Sequence, residues 1–174
     1  MFYRGVNQRA LEYHTWVCLC LGMQVRNYVE LGRGSAGVFR EALGPGKVVT
    51  VDLDPNGLEG IPHFRADSHD PETVLKVLKL LGELPEVVFI DAGHETADVR
   101  KDFELWWPNT KRIVGFHDIL MPTVAPFWNT IRLGIPSIEI IAHDMDSANE
   151  WQRSSLHPDG NVPCGGIGVL FKGG

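Results

Sequence analysis

The chain has 174 residues and a net charge of −6, from 16 basic and 22 acidic side chains, with 44% apolar residues. That size suits one domain with a sizeable core, and the composition is that of an ordinary soluble globular protein. There is no basic run and no apolar stretch of membrane-span length, so neither a nucleic-acid partner nor a membrane is expected.

Three cysteines, an odd number, argue against a disulfide framework. Cys18 and Cys20 fall on different faces of a helix. With Cys164 they read as small buried hydrophobes in a reducing cytoplasm. Trp16 to Met23 has the apolar character of a short signal core, but Glu12 and His14 interrupt it and no small-x-small cleavage site follows.

Residues 7–22 show a helical stripe at Ala10, Tyr13, Val17 and Leu21, ended by Gly22, within an N-terminal segment (1–24) expected to pack on the sheet. Arg26 to Leu31 reads as the first strand, Ser35 to Leu43 as a helix stopped by Gly44-Pro45-Gly46, and Lys47 to Leu53 as a buried parallel strand. His63 to Asp67 is a short third strand. Asp70-Pro71-Glu72 then starts a helix with an N-cap, a proline and an acid in sequence. Val74, Leu75, Leu78 and Leu81 are its expected buried face, and Gly82 stops it. Glu86 to Ile90 is the fourth strand. A helix from Glu95 to Trp107 follows, with Val99, Phe103 and Trp106 on one side. Arg112 to Phe116 is the fifth strand, Thr123 to Leu133 a helix, Ser137 to Ala142 the sixth strand and Gly166 to Phe171 the seventh. His143 to Gly165 reads as a long loop.

Alternating strands and helices predict an α/β fold: a Rossmann-like three-layer sandwich on a mostly parallel seven-stranded sheet, ending in an antiparallel hairpin. The whole chain is expected to form one such domain.

The stretch from Asn27 to Pro55 organises the rest. Gly32, Gly34 and Gly37 spell G-x-G-x-x-G between a strand and a helix, and Asp52 ends the next strand about 20 residues later, where a carboxylate meets ribose hydroxyls. Two cofactors fit that pattern. A dinucleotide matches the glycines, but Glu30 places negative charge where a pyrophosphate would sit. S-adenosylmethionine (SAM), with a positive sulfonium and an amino-acid tail, suits the acid better.

Asp91 and Asp118 end the fourth and fifth strands, close enough for both carboxylates to meet one cation. His94, three residues beyond Asp91, is the candidate general base, because an imidazole accepts a proton near neutral pH. Turn or capping roles are the competing readings of Asp67 and Asp118. His14, His63, His69 and His157 have no supporting neighbours in the sequence. His143-Asp144 reads as loop. Trp106, Trp107 and Trp128 could wall a substrate site, but core packing fits Trp106 best.

Tyr28-Val29-Glu30-Leu31-Gly32-Arg33-Gly34-Ser35 resembles the first motif of class I SAM-dependent methyltransferases. Asp67-Ser68-His69-Asp70-Pro71-Glu72-Thr73, Phe89-Ile90-Asp91-Ala92-Gly93-His94, Val99-Arg100-Lys101-Asp102, Gly115-Phe116-His117-Asp118-Ile119 and Phe127-Trp128-Asn129 extend the resemblance over roughly residues 25–172. Together they are similar to the small-molecule O-methyltransferase branch that includes macrolide-sugar methyltransferases and to cephalosporin-hydroxylase-type proteins.

The resemblance implies cofactor contacts from Glu30, Gly32, Gly34, Ser35, Asp52, Asp67, Ser68 and Asp91, with Asp52 on the ribose and Asp67 and Ser68 at adenine. It implies His94 as base and a Mg²⁺ or other divalent ion on Asp91, His117 and Asp118. His117 stands where relatives known for metal binding often carry an acid; an imidazole there shifts preference towards a softer ion, the alternative being a site without a metal. A small-molecule hydroxyl is the implied methyl acceptor, and a homodimer is the implied assembly. An NAD(P)-binding oxidoreductase and a non-catalytic SAM-fold module are the alternatives.

Overall fold

A computed structural model describes residues 10–44, 47–141 and 165–173. Its strands are β1 (Tyr28–Leu31), β2 (Val48–Asp52), β3 (His63–Arg65), β4 (Val87–Ile90), β5 (Ile113–Phe116), β6 (Ser137–Ile140) and β7 (Ile167–Phe171). Its helices are α1 (Ala10–Gly22), α2 (Ala36–Leu43), α3 (Pro71–Leu81), α4 (Thr96–Trp106) and α5 (Ala125–Ile131). The strands form one sheet in the order β3-β2-β1-β4-β5-β7-β6. β3, β2, β1, β4 and β5 run parallel, and β7 is antiparallel to both β5 and β6. This is the mostly parallel seven-stranded sheet with a terminal antiparallel pair that the sequence predicts.

Helices cover both faces. Tyr13 and Trp16 of α1 and Phe39 of α2 pack on Tyr28, Val87, Phe89 and Ile113. On the other face, Val74 and Val77 of α3, Trp106 of α4 and Phe127 of α5 pack on Val29, Val49, Val88 and Val114. The central strands are buried on both sides, which is why β1, β4 and β5 are apolar almost throughout. α3 starts as its sequence dictates: the Asp70 side chain accepts from Glu72 N at 2.9 Å, and Gly82 ends the helix in the left-handed region at φ 73°.

Two helix faces differ from expectation. On α1 the buried apolar positions are Tyr13, Trp16, Val17 and Cys20, while Leu21 is 41% exposed. The indole of Trp16 and the thiol of Cys20 complete a face that a stripe drawn through Leu21 misses. On α3, Val74 and Val77 are buried and Leu75 is 65% exposed, because Leu75 lies about 100° round the helix from Val74. Cys18 is exposed, so only Cys20 of that pair behaves as a buried hydrophobe. Trp106 and Trp128 are core residues, as favoured for Trp106. The start of the first helix at residue 7, the Pro45-Gly46 turn, His143, Asp144, His157, Cys164 and the loop up to residue 164 lie outside the described residues.

Candidate functional site

Strand register builds the site. Leu31 pairs with Ile90, and Ile90 with Phe116. One residue further along, the backbone ladder persists: Gly32 N donates to Val51 O, Asp91 N to Leu31 O and His117 N to Ile90 O, at 2.7, 2.9 and 3.0 Å. Gly32, Asp91 and His117 therefore stand side by side at adjacent tips. Gly32 has φ +97°, and a Cβ there would sit 2.3 Å from Asp91 O, so only glycine fits. At Gly37, by contrast, a Cβ would meet nothing within 4 Å.

A cavity of about 590 Å³ opens above these tips, within the range of small-molecule and cofactor sites. Gly32, Gly34, Asp52, Asp67, Ser68 and Asp91 of the expected cofactor set line it. His94, His117 and Asp118 line its other end. Glu30 and Ser35 do not reach it. Glu30 alternates with Val29 and Leu31 and so points to the α1/α2 side, where it is fully buried. Its carboxyl accepts from Ser35 N at 2.7 Å and Ser35 Oγ at 2.9 Å. Both residues brace the glycine turn from beneath. Burial, then the charge of Asp91, pushes the Glu30 carboxyl up to about 8 against those Ser35 hydrogen bonds.

At the tip of β2, Asp52 accepts from Asp54 N at 2.9 Å and faces Arg33 Nε at 3.7 Å. Arg33, on the glycine turn, also pairs with Asp54. The Asp52 carboxylate is thus already steadied by a cation and a main-chain turn. At the far side Asp67 accepts from His69 N at 2.9 Å, an Asx turn, while its side chain is 59% exposed. The turn reading of Asp67 describes it, and it lines the cavity as well, whereas the cap of α3 is Asp70.

At the tips of β4 and β5 four titratable groups meet. His117 Nδ1 lies 2.9 Å from Asp91 Oδ1 and 3.3 Å from Asp118 Oδ2. His94 Nε2 lies 3.1 Å from Asp118 Oδ2 and 3.7 Å from Asp91 Oδ1. Burial works against a charge on His117, but Asp91 and Asp118 outweigh it and hold the imidazole at about 9. Burial also works against the Asp118 carboxylate; His117, His94 and the Gly165 N–H at 2.6 Å outweigh it and hold Asp118 at about 2. The hydrogen bond to Asp118 raises His94, against burial, with help from the Asp91 and Asp118 charges.

Ligand atoms of Asp91, His94 and His117 all lie within 4.8 Å of one another. That set differs from the expected Asp91, His117 and Asp118, since it includes His94 and Asp118 is engaged by His94 and Gly165. His117 Nε2 is buried without a hydrogen-bond partner. Fully buried Glu12 on α1 adds its negative charge to the His117 environment and accepts from Gly166 N at 3.0 Å.

Sequence reasoning missed several of these partners. His63 and His69 do have neighbours: His63 joins Thr50 Oγ1 and Asp54 O, both at 2.9 Å, and His69 lines the cavity. Asp98 also lines it. Glu12 reads as a break in an apolar run, and Asp98 lies in the first turn of α4; neither carries a local signal for the site.

No protein-family model and no curated protein matches the chain. Solved structures do. An O-methyltransferase from Bacillus cereus in complex with S-adenosylhomocysteine (SAH) matches with TM-score 0.61 and 11% identity, over 98% of this chain and 84% of that one. The O-methyltransferase TomG from Streptomyces achromogenes, involved in tomaymycin synthesis and in complex with SAM, matches with TM-score 0.58 and 14% identity, over 93% and 80%. MycE from the mycinamycin biosynthetic pathway, in complex with Mg and SAH, matches with TM-score 0.58 and 14% identity over 92% of this chain. The chain spans about half the length of MycE (48%) in that match. The chain therefore has the fold of class I SAM-dependent O-methyltransferases. Among the described residues no helix is long and apolar enough to cross a membrane.

Proposed function

We propose that the chain binds SAM in this cavity and transfers its methyl group to a hydroxyl of a small molecule. The observation that carries the reading is the convergence on one cavity of the obligatory Gly32 turn, the ribose-type carboxylate Asp52 and the Asp91–His94–His117 group. Structures with this fold hold SAM or SAH, which supports the choice of cofactor.

In the reaction, the acceptor oxygen attacks the sulfonium methyl. The new O–C bond forms as the S–C bond breaks, and neutral SAH leaves. His94, on the cavity wall, takes the hydroxyl proton at Nδ1, because Nε2 is the nitrogen that donates to Asp118 Oδ2. Holding oxygen, methyl and sulfur in line is the main demand, and a preformed cavity meets it. Asp118, hydrogen-bonded to His94, orients the ring and stabilises the imidazolium that results.

With His94 reserved as the base, the Asp91 and His117 donors of the group suit a divalent ion, and the buried imidazole favours a softer ion than Mg²⁺. When bound, such an ion lowers the pKa of a ligated hydroxyl. Asp91 and His117 would hold it, with Asp118 beside them.

Incubating the protein with methyl-labelled SAM and a panel of sugar, phenol and other natural-product hydroxyls tests the reading. Transfer to an oxygen supports it. SAH binding with transfer only to nitrogen or carbon would replace the acceptor class and leave the cofactor in place.

A further inference from the structure

The polar seam between α4 and the turn after β3 has no part in the proposed methyl transfer, yet it is built like a working element. Three groups one helical turn apart on α4 reach residues 68 and 69. Asp98 O lies 3.2 Å from His69 Nε2, Asp102 Oδ1 lies 3.5 Å from the same nitrogen, and Trp106 Nε1 donates to Ser68 O at 2.9 Å. The other ring nitrogen of His69, Nδ1, lies 3.3 Å from Asp67 Oδ1. The imidazole is therefore a bridge. On one side is Asp67, which faces the cavity; on the other is Asp102, which has no exposed surface.

Neither oxygen of Asp102 has a hydrogen-bond partner of good geometry, and only the Ser68 side chain and the His69 ring at 3.5 Å favour its charge. A buried carboxylate so thinly compensated is among the costlier features a core can hold. Packing alone gives no reason for one here, where a leucine would fill the helix face. What faces Asp102 is the Ser68–His69 turn, together with the acids Asp67 and Asp98. Both ring nitrogens of His69 face oxygen acceptors, so the ring ties Asp67 on one side to Asp98 O and Asp102 on the other.

We propose that Asp102 is a positioning residue that, through His69, fixes the Asp67–Ser68 turn closing one end of the cavity. The inference rests on the SAM reading, in which that turn meets the adenine. Burial pushes the Asp102 carboxyl up to about 6; Ser68 and the His69 ring pull it back down, while Asp67 and Asp98 push it further up.

Four proteins test this: the parent, Asp102→Asn, His69→Gln and the double variant that completes the cycle. SAH affinity is read by calorimetry, and the Asp102 carboxyl is followed by ¹³C NMR across pH. Each single variant is expected to keep its circular dichroism and weaken SAH about tenfold. The double variant should be no weaker than either single one, because the residues act as one unit. In His69→Gln the carboxyl midpoint should rise above the parent's, since the ring that pulls it down is gone.

SAH affinity unchanged in Asp102→Asn, or a carboxyl midpoint unmoved in His69→Gln, overturns the proposal. If the parent itself binds no SAH, the cofactor reading fails separately. The amide shifts of Asp67 and Ser68 in Asp102→Asn then decide: displacement supports the positioning role, and unchanged shifts overturn it.

Discussion

The two ends of the cavity are built by different means. At the β1–β2 end the backbone does most of the work: Gly32 turns at φ +97° and lets Asp91 O approach, while Asp52 and Asp54 form consecutive side-chain-to-amide turns. At the β4–β5 end the work is done by side chains from separate tips, brought together only by sheet register: Asp91, His94, His117 and Asp118. Their acids differ accordingly. Glu30 is buried and pushed up to about 8, close to a neutral structural brace, whereas Asp118, among imidazoles, is held at about 2 as an anion. One end is a rigid cradle and the other a concentrated charge cluster. Substitutions should therefore separate binding from turnover.

The largest effect is expected at the charged end. His94→Ala should lower methyl transfer about 10²- to 10⁴-fold while leaving SAH affinity within about twofold, read by transfer assay and calorimetry. A general base must be deprotonated. Because Asp118 raises His94, parent turnover should climb with pH through a limb above the ordinary histidine value of 6.5.

Next is the cradle. Gly32→Ala places a Cβ 2.3 Å from Asp91 O in a left-handed backbone. The cost is about 2–4 kcal/mol in chemical denaturation, with loss of SAH binding.

Glu30→Gln tests the brace through its pH dependence. The Glu30 carboxyl is raised from 4.5 to about 8, so the stability linked to its proton is fully present below pH 4.5 and lost as pH rises through about 8. The parent should lose urea resistance across that window, and Glu30→Gln should flatten the loss.

The smallest effect is at Gly37. It is exposed within α2, and a Cβ added to it would meet open space, so Gly37→Ala should stabilise by about 1 kcal/mol and leave the cofactor site alone. A dinucleotide turn would need that third glycine for close helix–strand packing. A large loss on Gly37→Ala would reopen that alternative.

Both ends left marks in the sequence, of different strength. Gly32, Gly34 and Asp52 carry their spacing within one strand-turn-helix unit, so a local reading finds them. Asp91, His94, His117 and Asp118 are found because strand ends are where α/β sheets place ligands. What local reading cannot supply is direction. Glu30 looks like a cofactor contact until the two-residue alternation of β1 turns it to the α2 side. Asp102 and Glu12 carry no local sign of burial, yet the fold buries them against His69 and beside His117. Leu75 and Leu21 look like core until the helix angle carries them outward. In each case the deciding fact is a contact between segments far apart in the chain.

Titration calorimetry with SAH in the presence of Mg²⁺, on the parent and on Asp52→Ala, tests the central claim most directly. Micromolar binding that disappears in Asp52→Ala is the predicted result. No binding by the parent at high ligand concentration would contradict the SAM reading and direct the search to NAD and NADP.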